Sequence, residues 1–202
     1  MRATDAVGAQ GASVRVEQIL DVASFLFAQK GYDGTSMREI AEACEISKAL
    51  LYHHFSGKQD IHARIIVDSG ERLLAEVEQH IANAAGPGEK LRAFMVGAAV
   101  FFENNRSSWG VSSSAFWNHG DHTTRDKQLA QRNRFEHLLR AIIADGVEQG
   151  VLRADLDAAM VGRLVLSSIN WMHRWYDPAK SMRASEIADT YFDMIFNGIR
   201  NA

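Results

Sequence analysis

The chain has 202 residues, 47% hydrophobic and 23% charged, with a formal net charge of −3. That balance excludes a disordered or strongly basic chain, so any affinity for nucleic acid has to come from locally placed donors. Cys44 is the only cysteine, which excludes an internal disulfide, and no apolar run is long enough to span a bilayer, so a cytoplasmic location is expected.

Helix formers dominate and strand-like alternation is absent, which predicts an all-α protein. Residues 1–13 are rich in Gly and Ala, present no apolar face, and are expected to form a disordered tail. Residues 14–30 carry Val16, Ile19, Leu20, Ala23, Leu26 and Phe27 at three- and four-residue steps. That is an amphipathic helix, with Gly31 placed to end it.

Residues 35–58 read as two short helices joined by a tight turn and running into a third. Ser36 with Glu39 forms a capping box for the first, and Ser47 caps the second. Ser56 with Gln59 has the pattern of a further box opening the third. Leu51 and Phe55, four apart, share the face that packs inward, with Ile46 closing the top. Lys48, Ala49, Tyr52 and His53 remain on the other faces. No acidic side chain occurs between Ser47 and Lys58. A short donor-rich helix propped on a second one is the form in which a helix-turn-helix enters the major groove.

Gly31, Tyr32, Thr35, Ser36, Ile40, Ala41, Ser47, Leu51, Tyr52, His54, Phe55 and Lys58 stand at the spacing of one known motif. The segment resembles the DNA-binding domain of the TetR family of bacterial transcriptional repressors. The resemblance implies an N-terminal three-helix DNA-binding domain over 14–60 and a C-terminal helical ligand-binding and dimerisation domain over 61–202. It also implies that Thr35, Ser36, Ser47, Lys48, Ala49, Leu50, Tyr52, His53, His54 and Lys58 face DNA, with Tyr52 and His54 on phosphates. Two positions depart from the family. Glu45 occupies a turn position where Gly is usual, at a cost of about 1 kcal/mol if the backbone is left-handed there. Ala49 and Leu50 replace the family's common Gly and Thr, so the operator sequence does not carry over.

From Lys58 a long helix to about residue 84 buries Ile61, Ile65, Leu73, Leu74, Val77 and Ile81. Lys58 at its start is well placed for a phosphate. The helix is read as the only covalent lever between the two domains. Gly86-Pro87-Gly88 breaks the chain. Helices over 89–104 and 124–149 follow, with a polar turn at 104–108 and an apolar, aromatic stretch at 109–118 between them. Phe102, Trp109, Phe116 and Trp117, interleaved with serines, Asn118 and His119, can pack as core or line an apolar pocket with polar handles. His119 and His122 lack further ligands and read as a solvated loop, so no metal and no cofactor are expected. No GxSxG elbow accompanies the serines, and no catalytic residue is assigned.

Residues 156–176 are apolar nearly all round and imply burial on every side, by their own domain or by a partner subunit, and 185–199 form the last helix. Pro178 follows the first of these. The pair resembles the family's dimerisation helices, which implies an interface carrying Leu164, Trp171, Trp175, Tyr191, Phe192 and Ile195. The Trp-Tyr-x-Pro corner is similar to members that answer to acyl- or steroid-CoA thioesters, with Asn170 and Arg174 near such a ligand. Trp175 and Tyr176 are read together as a corner packed into the interface.

The expected molecule is a homodimeric repressor of palindromic double-stranded operator DNA, released by a small apolar effector of acyl-CoA or aromatic type. An all-α small-molecule-binding protein or enzyme that keeps the motif without specific DNA binding is the alternative, and an activator or nucleoid-type binder a third reading.

Overall fold

A computed structural model describes the backbone of residues 3–115 and 122–201, and the side chains of 15–113 and 126–201. Among these residues the fold is all-α, with nine α-helices and no strand. They are α1 (Ala3–Lys30), α2 (Met37–Ala43), α3 (Lys48–His54), α4 (Lys58–Ile81), α5 (Pro87–Asn104), α6 (Arg106–Ala115), α7 (His122–Glu148), α8 (Ala158–Asn170) and α9 (Ala184–Ile199). A 3-10 turn, Trp171–Arg174, follows α8.

The chain divides into two compact units, Met1–Ser69 with Ser107–Thr124, and Gly70–Arg106 with Arg125–Ala202. These units meet at 69/70 inside α4, whereas the expected domain boundary stands at 60/61. The chain also crosses the division at 106/107 and 124/125, so α4 is not the only covalent link.

The first unit closes around Ile19, Leu20, Ala23 and Phe27 of α1, Ile40 and Ala41 of α2, Leu51 of α3, Phe55, and Ile61, Ile65 and Ile66 of α4. The seven-residue helices α2 and α3 are too short to persist alone, so this shared core is what holds them. Val111 of α6 joins the same core, which explains why α6 belongs here. Gly31, at φ +77°, ends α1 as the residue order requires. At its other end α1 starts at Ala3, and the stretch expected to be a disordered tail is helical. The registered part of a helix removes the nucleation cost for residues ahead of it, and no proline stands in the way, although Gly8 and Gly11 each weaken the extension.

In the second unit α5 packs along α9. Gly88 lies against Phe196 so closely that a Cβ would come 3.0 Å from its ring, and Arg92 pairs with Asp189 at 2.9 Å. Pro87 opens α5 at a position where its missing N–H has no helical partner to lose. Only Asn105 separates α5 from α6, where a longer polar turn was expected. The chain end is pinned to the α7–α8 connection: Arg153 N donates to the Ile199 carbonyl at 3.0 Å, and Asn201 N to that of Val151 at 3.0 Å.

Candidate nucleic-acid interface

The local chemistry that builds the turn between α2 and α3 is complete. The Ser36 hydroxyl accepts from Glu39 N at 3.2 Å, and Glu39 Oε2 accepts from Ser36 N at 2.9 Å. Lys30 pairs with Glu39 at 2.7 Å. That ammonium, together with the Ser36 amide and hydroxyl, holds the Glu39 carboxyl down to about 2. α2 ends in a double carbonyl cap: Ile46 N donates to Ala41 O at 3.0 Å and Glu45 N to Glu42 O at 3.1 Å. This Schellman arrangement requires a left-handed residue between the two, and Glu45 takes it at φ +54°. The turn is thus built as a glycine would build it. Ser47 Oγ then accepts from Leu50 N at 3.1 Å and starts α3.

Leu51 is 0% exposed and Phe55 2%. Lys48, Ala49, Tyr52 and His53 are exposed, with Leu50 and His54 half-buried on the flanks. The seven-residue helix therefore offers a free face with no carboxylate on it. Ser36 and Ser47 are exposed at the two helix starts. Thr35 is placed differently from its expected DNA-facing position. It is 2% exposed, and its hydroxyl donates to the Gly31 carbonyl at 2.9 Å, with the Leu26 carbonyl 3.3 Å away. It locks the end of α1 and has no side chain to offer a phosphate.

At the start of α4, Asp60 rather than Gln59 makes the reach-back bond, with its Oδ2 accepting from Ser56 N at 2.8 Å and from Ser56 Oγ at 3.1 Å. Lys58 is half-buried, and its ammonium donates to the Tyr32 carbonyl at 2.7 Å. His62 completes a ring cluster there, 4.9 Å from Tyr32 and 5.6 Å from Phe27 between centroids. Burial, then the Lys58 charge, holds the His62 imidazole below its usual value. Cys44 is half-buried beside the same core, and burial raises its thiol. A shallow groove of about 310 Å³ separates α1 from the end of α2 near it.

The remaining expected residues lie elsewhere. Phe102, in the second unit, is 1% exposed and meets the Tyr176 ring edge-on at 5.5 Å. Trp109, in the first unit, is 6% exposed. Phe116, Trp117 and His119 lie outside the described residues. Asn170 and Arg174 are exposed, with the Arg174 guanidinium 5.9 Å from the Trp171 ring centre. They share the outer face of α8 and its 3-10 extension and are not enclosed by their own unit.

That outer face is apolar. Leu164 is 53%, Trp171 64% and Trp175 45% exposed, and Met160 and Met194, apolar positions outside the expected interface set, are 58% and 69% exposed. α8 accordingly has a side that its own chain leaves open. Tyr191 and Ile195 are half-buried. Phe192, expected at an interface, is 8% exposed and stacks on Phe196 at 5.0 Å, so it belongs to the core of its own chain. Tyr176 also turns inward, away from its neighbour Trp175: its hydroxyl donates to Glu103, while the Arg106 guanidinium stands 5.7 Å from its ring centre. Among the described residues no group of three His, Cys, Asp or Glu is placed to hold a metal, and no helix is long and apolar enough to cross a membrane.

Known proteins resemble the chain along most of its length. The family model described as bacterial regulatory proteins, tetR family, matches residues 19–65, and that of the tetracyclin repressor-like C-terminal domain matches 84–199. The transcriptional repressor KstR2 of Mycolicibacterium smegmatis is 26% identical over 192 residues, covering 92% of this chain and 90% of its own. The structure of PfmR, a TetR family regulator from Thermus thermophilus, superposes with a TM-score of 0.83 at 42% identity, covering 89% of this chain and 97% of that one. That of AibR in complex with isovaleryl coenzyme A and operator DNA gives 0.80 at 27% identity, over 90% and 98%.

Proposed function

The chain belongs to the tetR family of bacterial regulatory proteins, and from that premise we propose that it is a homodimeric repressor of a palindromic operator, released by a small apolar or acyl-type effector. The observation that carries the DNA reading is α3. It buries Leu51 and presents Lys48, Ala49, Tyr52 and His53 in a stretch without a single acid. Ser36, Ser47, His54 and Lys58 flank that face as the contacts that set its register on the phosphates, with Leu50 beside them as an apolar neighbour. A DNA partner places the work of the protein in the cytoplasm. The family is one of transcriptional regulators, which sets the enzyme alternative aside.

A second copy is the occupant assigned to the apolar outer face of α8 and α9, through Met160, Leu164, Trp171, Trp175, Met194, Tyr191 and Ile195. Exposed aromatic and methionine side chains on adjoining helices are what a four-helix interface needs. One seven-residue helix reads too few bases, whereas two related by a dyad read a palindrome.

The effector class rests on AibR, whose structure carries isovaleryl coenzyme A. For this chain we assign an acyl thioester or an aromatic compound as the effector. Val111 of α6 sits in the core of the DNA-binding unit. The effector has to favour the released arrangement over the DNA-bound one for the equilibrium to move.

Selection of bound duplexes from a random pool by the full-length protein tests the reading. A palindrome is expected, and its complex should dissociate when short-chain acyl thioesters are titrated in. Retention of random duplexes with equal strength overturns it.

A further inference from the structure

The free face of α3 has a crest. Successive residues on a helix turn by about 100°, so Ala49 and His53 lie about 160° from Leu51, one on each side. Leu51 is 0% exposed and defines the inward direction, which leaves Ala49 and His53 as the pair pointing most directly outward. Lys48 and Tyr52 fall on one flank, and Leu50 and His54 on the other.

Resting on the DNA reading above, we infer that Ala49 and His53 are the base-reading pair of this protein: Ala49 packs on a thymine C5-methyl, and His53 donates a ring N–H to a purine N7. The chemistry of the crest leads to this division. The Ala49 side chain is a bare methyl group. It has nothing to bond a base edge with, it lets the helix sit deep, and its complement in the major groove is the thymine methyl. His53 carries a ring N–H donor in either neutral tautomer, and the purine N7 is the acceptor that both A and G present at the groove floor. Lys48, Tyr52 and His54 are angled to the sides, where the phosphates run.

Positions four apart on a helix are separated by about 6 Å along its axis. Base steps are about 3.4 Å. The two bases read are therefore within two steps of each other in each half-site. Specificity at those steps comes from one methyl contact and one hydrogen bond.

The test uses the full-length protein and the site it selects. Each thymine of the half-site is replaced in turn by deoxyuridine, which lacks only the methyl, and each purine by its 7-deaza form, which lacks only the N7 acceptor. One uracil position should weaken wild-type binding about fourfold, the value of one buried methyl-sized group. One deaza position within two steps should weaken it about fivefold, the value of one hydrogen bond. Ala49→Gly should be indifferent to the uracil change, and His53→Ala to the deaza change, whatever their absolute affinities. Equal sensitivity of wild type and variant, or silence at every position of a selected site, overturns the assignment while leaving the repressor reading standing. Failure to select any site sinks both.

Discussion

The Lys58 ammonium group lies 2.7 Å from the Tyr32 carbonyl oxygen and 4.2 Å from the centre of the Tyr32 ring. One residue thus ties the start of α4 to the loop after α1. An ammonium has three donors, and the carbonyl accounts for one. The others are available to a phosphate. Lys58→Ala removes one contact from each half-site of the dimer and should lower the slope of log affinity against log salt by about 1.8, about 0.9 for each phosphate. An unchanged slope would make the tie to Tyr32 its whole role.

Glu45 holds a left-handed conformation, φ +54°, inside a fully formed Schellman cap. Replacing it with Gly relieves the Cβ clash without touching either cap hydrogen bond. Glu45→Gly should raise the unfolding free energy by about 1 kcal/mol, measured as a shift in urea midpoint at constant m. No gain would mean that the larger chain entropy of an unfolded Gly offsets the relief.

His62 sits between Phe27 and Tyr32 with its imidazole held below the usual value of 6.5 by burial and by Lys58. The unfolded chain therefore takes up this proton first as pH falls. Stability of the first unit should decline as pH drops below 6.5, and the loss should level off once the folded ring also protonates. Urea unfolding across about pH 5 to 8 reads the slope, and His62→Phe should flatten it.

Leu164 and Trp171 are both more than half exposed, at 53% and 64%. On the dimer reading they are buried between copies, where an unpaired charge costs about 3–5 kcal/mol. The double variant Leu164→Glu/Trp171→Glu should sediment as a monomer and lose the palindrome while its helical circular dichroism stays intact. A wild-type protein that is itself monomeric at the same concentration ends this reading.

Much of the DNA-binding unit was legible along the chain. The Ser36–Glu39 box, the Ser47 cap, the Gly31 stop and the inward Leu51–Phe55 pair are all relations between residues a few places apart. Their geometry follows from local backbone chemistry. The Trp175–Tyr176 corner shows the limit. Adjacent aromatic residues have the same composition value, yet Tyr176 turns in to Glu103 and Phe102 while Trp175 stays out.

By itself, then, the order of residues determined that the chain is helical, how α2 and α3 are capped, and which short helix carries donors without acids, but not that α1 reaches back to Ala3 or that α6 begins at Arg106. Tertiary structure alone decided that Thr35 spends its hydroxyl on Gly31 and Leu26, that Lys58 reaches back across the chain to Tyr32, and that α6 lodges Val111 beside the DNA-reading helices. The physical reason is range. Caps and i, i+4 stripes are settled by neighbours within one or two turns, whereas exposure and the pairing of a distant carbonyl depend on which remote segments the packed core brings alongside.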